Sequence, residues 1–245
     1  MNNPASSPQI PATTPGRSVD PNAVVIAVDG TSGSGKSSTS RGVATRLGLR
    51  YLDTGAMYRA VTWWMLQHGV DIHDPEAVAG HAAAPVIVSG TDPSGPTITL
   101  DGADVSTEIR SEAVNASVSP VSAVPAVREQ LKGLQQEIIR DALGGAGVVV
   151  EGRDIGSVVW PEADLKVYLT ADPAARAARR ALEEGGTDAA QVQASLEFRD
   201  RIDASRAAAP LVQADGAVEL DTTAYTLDEV IDQVVGLVES VKART

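Results

Sequence analysis

Short apolar runs alternate along this chain with longer stretches in which apolar residues return every third or fourth position. The runs Val24-Val25-Ile26-Ala27-Val28, Leu49-Arg50-Tyr51-Leu52, Val148-Val149-Val150, Leu165-Lys166-Val167-Tyr168-Leu169 and Ala217-Val218-Glu219-Leu220-Asp221 predict five strands. Helical spacing fills the intervals. Residues 38–47 carry Val43, Ala44 and Leu47, and residues 56–68 carry Met57, Ala60, Val61, Trp64 and Met65 before Gly69 stops them. Asp74-Pro75 opens a helix over about 74–84, and Asp172-Pro173 opens another. Residues 114–143 read as helical, interrupted near Ser119-Pro120 and at Pro125, with Val127, Leu131, Leu134 and Ile138 turned to the core. Thr187-Asp188 caps a further long helix, and the stripe Leu227, Val230, Ile231, Val234, Val238 and Val241 predicts a core-facing helix at the end. Strands alternating with helices in this way predict an α/β fold, a five-stranded parallel sheet covered on both faces.

Two stretches depart from the alternation. Val86-Ile87-Val88-Ser89 and Thr97-Ile98-Thr99-Leu100 flank a turn-rich segment and predict a β-hairpin, with a further tight turn at Asp101-Gly102. A hairpin does not continue a parallel sheet, so residues about 72–115 read as an inserted subdomain. Residues 1–22 hold five prolines among Ser, Thr and Asn and too little apolar surface to offset ordering, which predicts a disordered tail.

The chain has 245 residues, enough for one good-sized domain with a small insertion. No apolar run approaches the length of a bilayer span, and no signal peptide is legible, so a cytoplasmic protein is expected. With no cysteine, disulfides and thiolate metal sites are excluded. The net charge of −12 argues against nucleic acid or anionic membrane as partner. Lysine occurs only as Lys36, Lys132, Lys166 and Lys242, so most fixed cations are arginines, the residue suited to bidentate phosphate recognition. With no exposed apolar stripe in the pattern, a monomer is expected.

One motif carries definite chemistry. Gly30-Thr31-Ser32-Gly33-Ser34-Gly35-Lys36-Ser37 fills G-x-x-x-x-G-K-[ST] at every fixed position, between a predicted strand and a predicted helix. Glycines let the backbone curl around phosphates, and unpaired amides at the helix start point at them. Lys36 would reach the β- and γ-phosphates of ATP. The Ser37 hydroxyl would hold Mg²⁺, with Ser38 the alternative.

Other charged residues gather where ligands bind in open sheets, beyond strand ends. Arg59 lies one turn into the helix after the second strand, and Glu151-Gly152-Arg153-Asp154 follow the third. Arg176, Arg179 and Arg180 share one helix and read as a solvated face. Arg199, Asp203 and Arg206 at i, i+4 and i+7 share a helical face, a spacing that an ion-pair ladder fits equally well. Tyr58, Trp63 and Trp64 read as packing residues. His68, His73 and His81 are not spaced for a metal.

A phosphate loop can serve a switch, a motor or a transferase. The N-K-x-D segment of a common GTP switch is absent, and the two Asp-x-x-Gly matches, Asp92 to Gly95 and Asp141 to Gly144, fall in a turn and at a helix end. A motor needs assembly domains for which the length leaves little room. Phosphoryl transfer needs positioning and positive charge, which Lys36 and the arginines supply. The residues alone leave open a kinase for a small acceptor such as UMP or shikimate, and an ATP-binding regulatory module without transfer.

Taken together, residues 30–38, Leu52-Asp53-Thr54-Gly55-Ala56-Met57-Tyr58-Arg59, Val105-Ser106-Thr107-Glu108-Ile109-Arg110, Val121-Ser122-Ala123-Val124-Pro125-Ala126-Val127-Arg128, Glu151-Gly152-Arg153-Asp154-Ile155-Gly156 and Ser205-Arg206-Ala207-Ala208-Ala209-Pro210-Leu211 resemble the bacterial cytidylate kinases over nearly all of residues 23–243. The resemblance implies transfer of the ATP γ-phosphate to CMP or dCMP. It assigns the insertion to the nucleoside monophosphate and residues about 176–199 to a short lid over ATP. It matches Ser119, Arg128 and Asp154 to positions that read cytosine, and Arg199 and Asp203 to those that hold the sugar. Arg59, Arg153 and Arg206 match positions around the acceptor phosphate, with Lys36 completing the catalytic set, and Thr54 and Tyr58 join the substrate side. Such a set would accept from the cytosine amino group and donate to its ring acceptors. Uracil would leave buried groups unpaired at about 1–3 kcal/mol each, roughly one to three orders of magnitude of preference. Thr54 stands where serine is more usual and Glu151 where aspartate is frequent. Each substitution keeps the functional group, and Thr54 bears on the balance between CMP and dCMP.

Overall fold

The computed structural model describes residues 20–183, 188, 190, 192–194, 196–197, 200 and 213–243. The predicted tail up to residue 19, and Arg199, Asp203 and Arg206, lie outside the described residues. Within residues 20–22, the Asp20 amide donates to the Leu143 carbonyl and seats the start of the domain against the loop before β6 (Gly147–Glu151).

The main sheet holds β1 (Val24–Gly30), β2 (Arg50–Asp53), β6, β7 (Leu165–Thr170) and β8 (Val218–Asp221) in the order β2-β6-β1-β7-β8, all parallel. These are the five strands predicted from the apolar runs. Every residue of β1 is buried, because β1 lies mid-sheet with helices over both faces. Alternate residues serve opposite faces. Val25 and Ala27 join Val148, Val150 and Leu52 under α2 (Thr54–Gln67) and α5 (Pro125–Ala142). Val24, Ile26 and Val28 join Val149, Leu165 and Val167 under α1 (Lys36–Leu47) and α7 (Leu227–Lys242). In α7, Val230, Ile231, Val234 and Val238 are buried as the stripe predicts, but Leu227 is exposed. It stands first after the Thr226 capping box, before the helix reaches the sheet.

The strand order sets the site. Chain leaving β1 crosses to β2 on one side, and chain leaving β6 crosses over β1 to β7 on the other, so a crevice opens beyond the carboxyl ends of β1 and β6.

The predicted hairpin is β3 (Ile87–Ser89) with β4 (Ile98–Leu100), extended by β5 (Ala103–Asp104) through the turn at Asp101-Gly102. Its connecting loop folds back on the main sheet. Thr91 accepts from the Tyr51 amide on the edge strand β2, and the Pro93 carbonyl accepts from Arg41 Nε on α1. A 3-10 turn (Glu108–Arg110) then leads into α4 (Glu112–Ala123).

Three boundaries differ from the pattern. Residue 120 does not break its helix: Pro120 sits inside α4. Ala116, whose carbonyl loses its i+4 donor there, is exposed and can bond water instead. The break occurs at Pro125, the first residue of α5. The helix after Asp74 is only α3 (Pro75–Gly80), capped as expected by the Asp74 carboxylate on the Glu76 amide. The arginines of α6 (Pro173–Glu183) do not form a solvated face, because Arg176 is buried against the phosphate loop.

Candidate active site

The cleft beyond β1 and β6 has a volume of about 270 Å³. Ser32, Gly33, Gly35, Lys36, Ser37 and Ser38 form its phosphate-loop wall. Two glycines there are obligatory for different reasons. A Cβ on Gly30 would stand 2.0 Å from the Leu169 carbonyl oxygen, and Gly35, at φ +87°, turns the chain into α1 with no side-chain cap. Gly30, Thr31 and Ser34 are not among the lining residues; the Ser34 side chain is buried, its hydroxyl donating to the Thr31 carbonyl at 2.9 Å. Lys36 Nζ donates to the same carbonyl at 2.7 Å. Burial, then the Arg153 charge, lowers the Lys36 pKa.

At the end of β6, Glu151 is buried beneath the loop and its Oε2 accepts from the Ser37 hydroxyl at 3.0 Å. Its Oε1 accepts from the Tyr51 hydroxyl. Burial, then the Asp53 charge, raises the Glu151 pKa, with Tyr51 opposing. Thr54, at the start of α2, donates its hydroxyl to the Glu151 carbonyl at 2.7 Å and is itself buried. That proton ties α2 to the strand end.

The structure brings Lys36, Arg59, Arg128 and Arg153 to one cleft. Arg59 reaches the insertion, where its Nη1 bonds Asn115 Oδ1 and the Ile109 carbonyl. Arg153 Nη1 donates to the Gly30 carbonyl at 2.6 Å, crossing from the β6 loop to the β1 loop. Arg128 on α5 pairs with Asp154 and also donates to the Ser122 carbonyl. Its guanidinium carbon lies 5.7 Å from the Tyr58 ring centroid, so Tyr58 packs on a cleft residue as well as on the core. Ser119 also lines the cleft.

Further groups meet here that sequence reasoning left aside. Arg110, Arg179 and Arg180 line the cleft as well. Asp29, the polar residue ending an otherwise apolar run, accepts the amides of Ile155 and Gly156. Arg176 Nη1 donates to the Ser32 carbonyl and pairs with Asp200, whose other oxygen accepts the Ser32 amide at 3.0 Å. Both groups on the Ser32 peptide are thereby fixed from the α6 side. A charged residue closing a run of five apolar ones was the available signal for Asp29. Arg176 had none, since helical spacing does not tell a solvated arginine from one aimed at a loop.

In chemical terms, the cleft wall combines an amide-lined turn with a lysine, several arginines, and a hydroxyl, a guanidinium and a carboxylate at Ser119, Arg128 and Asp154. Comparison with known proteins fits that layout. A family profile described as cytidylate kinase matches residues 26–240. A cytidylate kinase of Streptomyces griseus is 58% identical over 216 residues, which cover 88% of this chain and 93% of that protein. One from Streptomyces avermitilis is 56% identical over 221 residues, 90% of this chain and 95% of the relative. One from Nocardia farcinica is 53% identical over 214 residues, 86% and 91%.

Proposed function

The chain belongs to the cytidylate kinase family, and on that footing we propose that it transfers the γ-phosphoryl group of ATP to CMP or dCMP. An oxygen of the acceptor phosphate forms the new bond to the γ-phosphorus. The bond from that phosphorus to the β–γ bridging oxygen breaks, and ADP leaves beside CDP or dCDP. The observation that carries the reading is one cleft lined together by the phosphate loop with Lys36, by Arg59 and Arg153, and by the Arg128–Asp154 pair.

In this reading residues 30–38 seat the ATP phosphates. Lys36, Arg59 and Arg153 gather positive charge about the migrating group, where positioning and electrostatics do most of the work. Arg206 joins them at the acceptor phosphate, with Arg199 and Asp203 on the sugar. Asp154 and Ser119 accept from the cytosine amino group, and Arg128 donates to its ring acceptors. Thr54 and Tyr58 shape the wall between base and phosphate. The insertion over about 72–115 serves the monophosphate and residues about 176–199 cover ATP. The donor set at Ser37 suits Mg²⁺: a hydroxyl and a carboxylate offer hard oxygen ligands 3.0 Å apart, so Ser37 and Glu151 would hold it. Bound there, Mg²⁺ supplies charge to the β- and γ-phosphates.

The protein then acts on small molecules as a cytoplasmic monomer. Its net charge of −12 disfavours a nucleic acid partner, and among the described residues no helix is long and apolar enough to cross a membrane. A coupled ADP-release assay across CMP, dCMP, UMP, AMP and shikimate tests the reading. The cytidine nucleotides should turn over fastest, and faster turnover of any other acceptor would overturn it.

A further inference from the structure

Asp29 is a carboxylate buried on β1 just before the phosphate loop, 3% exposed, and the transfer scheme above gives it no task. Its two oxygens accept separate backbone amides, Oδ1 from Ile155 and Oδ2 from Gly156, each at 2.8 Å. Ile155 opens a π-helical turn (Ile155–Val159), and the residue before it is Asp154. The neighbours of Asp29 on β1 hold the same segment. The Val28 carbonyl accepts the Gly152 amide at 3.0 Å, and the Gly30 carbonyl accepts Arg153 Nη1 at 2.6 Å. Three consecutive residues of the central strand therefore grip residues 152–156 at four points, with the Arg153 and Asp154 side chains between them lining the cleft.

Burying a carboxylate is costly, and burial pushes the Asp29 pKa up to about 6, with Asp154 adding in the same direction. An apolar residue would avoid that cost but leave two amides unpaired. An asparagine could accept one amide and would turn its own NH₂ toward the other. Only a carboxylate of this length satisfies both.

Resting on the kinase reading, we propose that Asp29 is the positioning residue of the acceptor side, fixing the backbone after β6 so that Arg153 and Asp154 meet one nucleotide. The phosphate loop begins at the next residue, but the hydrogen bonds of Asp29 run to the β6 segment, so the placement it fixes is that of the monophosphate side.

The test uses the full chain as wild type, Asp29→Asn and Asp29→Glu, with kcat and KM measured separately for CMP and ATP. A shift of the loop by a fraction of an ångström should raise the KM for CMP about tenfold to a hundredfold in both variants. The KM for ATP should stay within about twofold. Equal rises for both nucleotides, or no rise, would overturn the proposal. So would a normal Asp29→Glu beside an impaired Asp29→Asn, since charge and not placement would then matter. If Asp29→Asn fails to fold, Asp29→Glu carries the comparison, together with amide exchange at Ile155 and Gly156 in the wild type. CMP should slow that exchange and ATP should not; no slowing by CMP would count against the role. A wild-type protein inactive on CMP would instead sink the functional reading, whereas an active wild type whose variants lack the split would sink only the role of Asp29.

Discussion

Arg128 and Asp154, 26 positions apart, form an ion pair with side chains 12% and 7% exposed, joining α5 to the loop after β6. The pair spans two elements, so it depends on the fold bringing α5 and the loop after β6 together. In the proposed reading this pair meets the cytosine ring.

Asp154→Ala removes the acceptor and leaves the Arg128 charge largely buried. Losing a hydrogen bond to a charged group costs about 1.5–3 kcal/mol, so kcat/KM for CMP should fall about ten- to a hundredfold or somewhat more. The KM for ATP should hold within about twofold. Steady-state kinetics against each nucleotide checks this, and equal losses on both sides would place Asp154 with ATP or its metal.

Ser37→Ala deletes the hydroxyl that bonds Glu151. Turnover should drop about ten- to a hundredfold, the Mg²⁺ concentration for half-maximal rate should rise, and the KM for CMP should barely move. A magnesium titration at saturating nucleotides reads all three.

Much of this arrangement was legible in the sequence because it rests on short-range signals. Five apolar runs marked the five strands of the main sheet, and turn chemistry marked the hairpin. The loop motif marked the crevice at which β1 ends. What periodicity does not show is long-range pairing of polar side chains. Arg176 has the spacing of a surface arginine, yet it is buried because Ser32 and Asp200 offer acceptors from distant segments. Thr54 carries a hydroxyl that suits a substrate, and the structure commits its proton to the Glu151 carbonyl. Pro120 reads as a breaker, but an exposed neighbouring turn tolerates the lost bond.

The Arg176 contacts also predict an effect. Arg176→Ala leaves the Ser32 carbonyl without its donor and Asp200 without its cation. The phosphate loop should loosen, raising the KM for ATP about tenfold while that for CMP changes little. A thermal melt should show the variant destabilised by several degrees, in line with about 1–3 kcal/mol.

Asp29 ties stability to pH. It binds its proton more tightly in the fold, at about 6, than at its ordinary value of 3.8, so its contribution to stability is fully present below pH 3.8 and is lost as pH rises through about 6. From pH 5 to pH 8 the wild type should therefore lose about 1.4 kcal/mol relative to Asp29→Asn, the worth of about one pKa unit. Urea unfolding of both proteins at the two pH values measures the difference, and a gap that does not change with pH would contradict the origin assigned to it. Asp154 and Lys36 both act on Asp29 in the fold, the first adding to the upward shift and the second opposing it.

The central claim is that a single cleft seats donor and acceptor phosphates together between Lys36 and the Arg128–Asp154 pair. A bisubstrate compound joining adenosine and cytidine through five phosphates addresses it directly by calorimetry. One molecule should bind per chain, at least about a hundredfold more tightly than ATP or CMP alone, because the second end binds at high effective concentration. Arg128→Ala should bring the affinity back toward that of ATP. Binding no tighter than ATP, or two molecules per chain, would contradict a shared cleft.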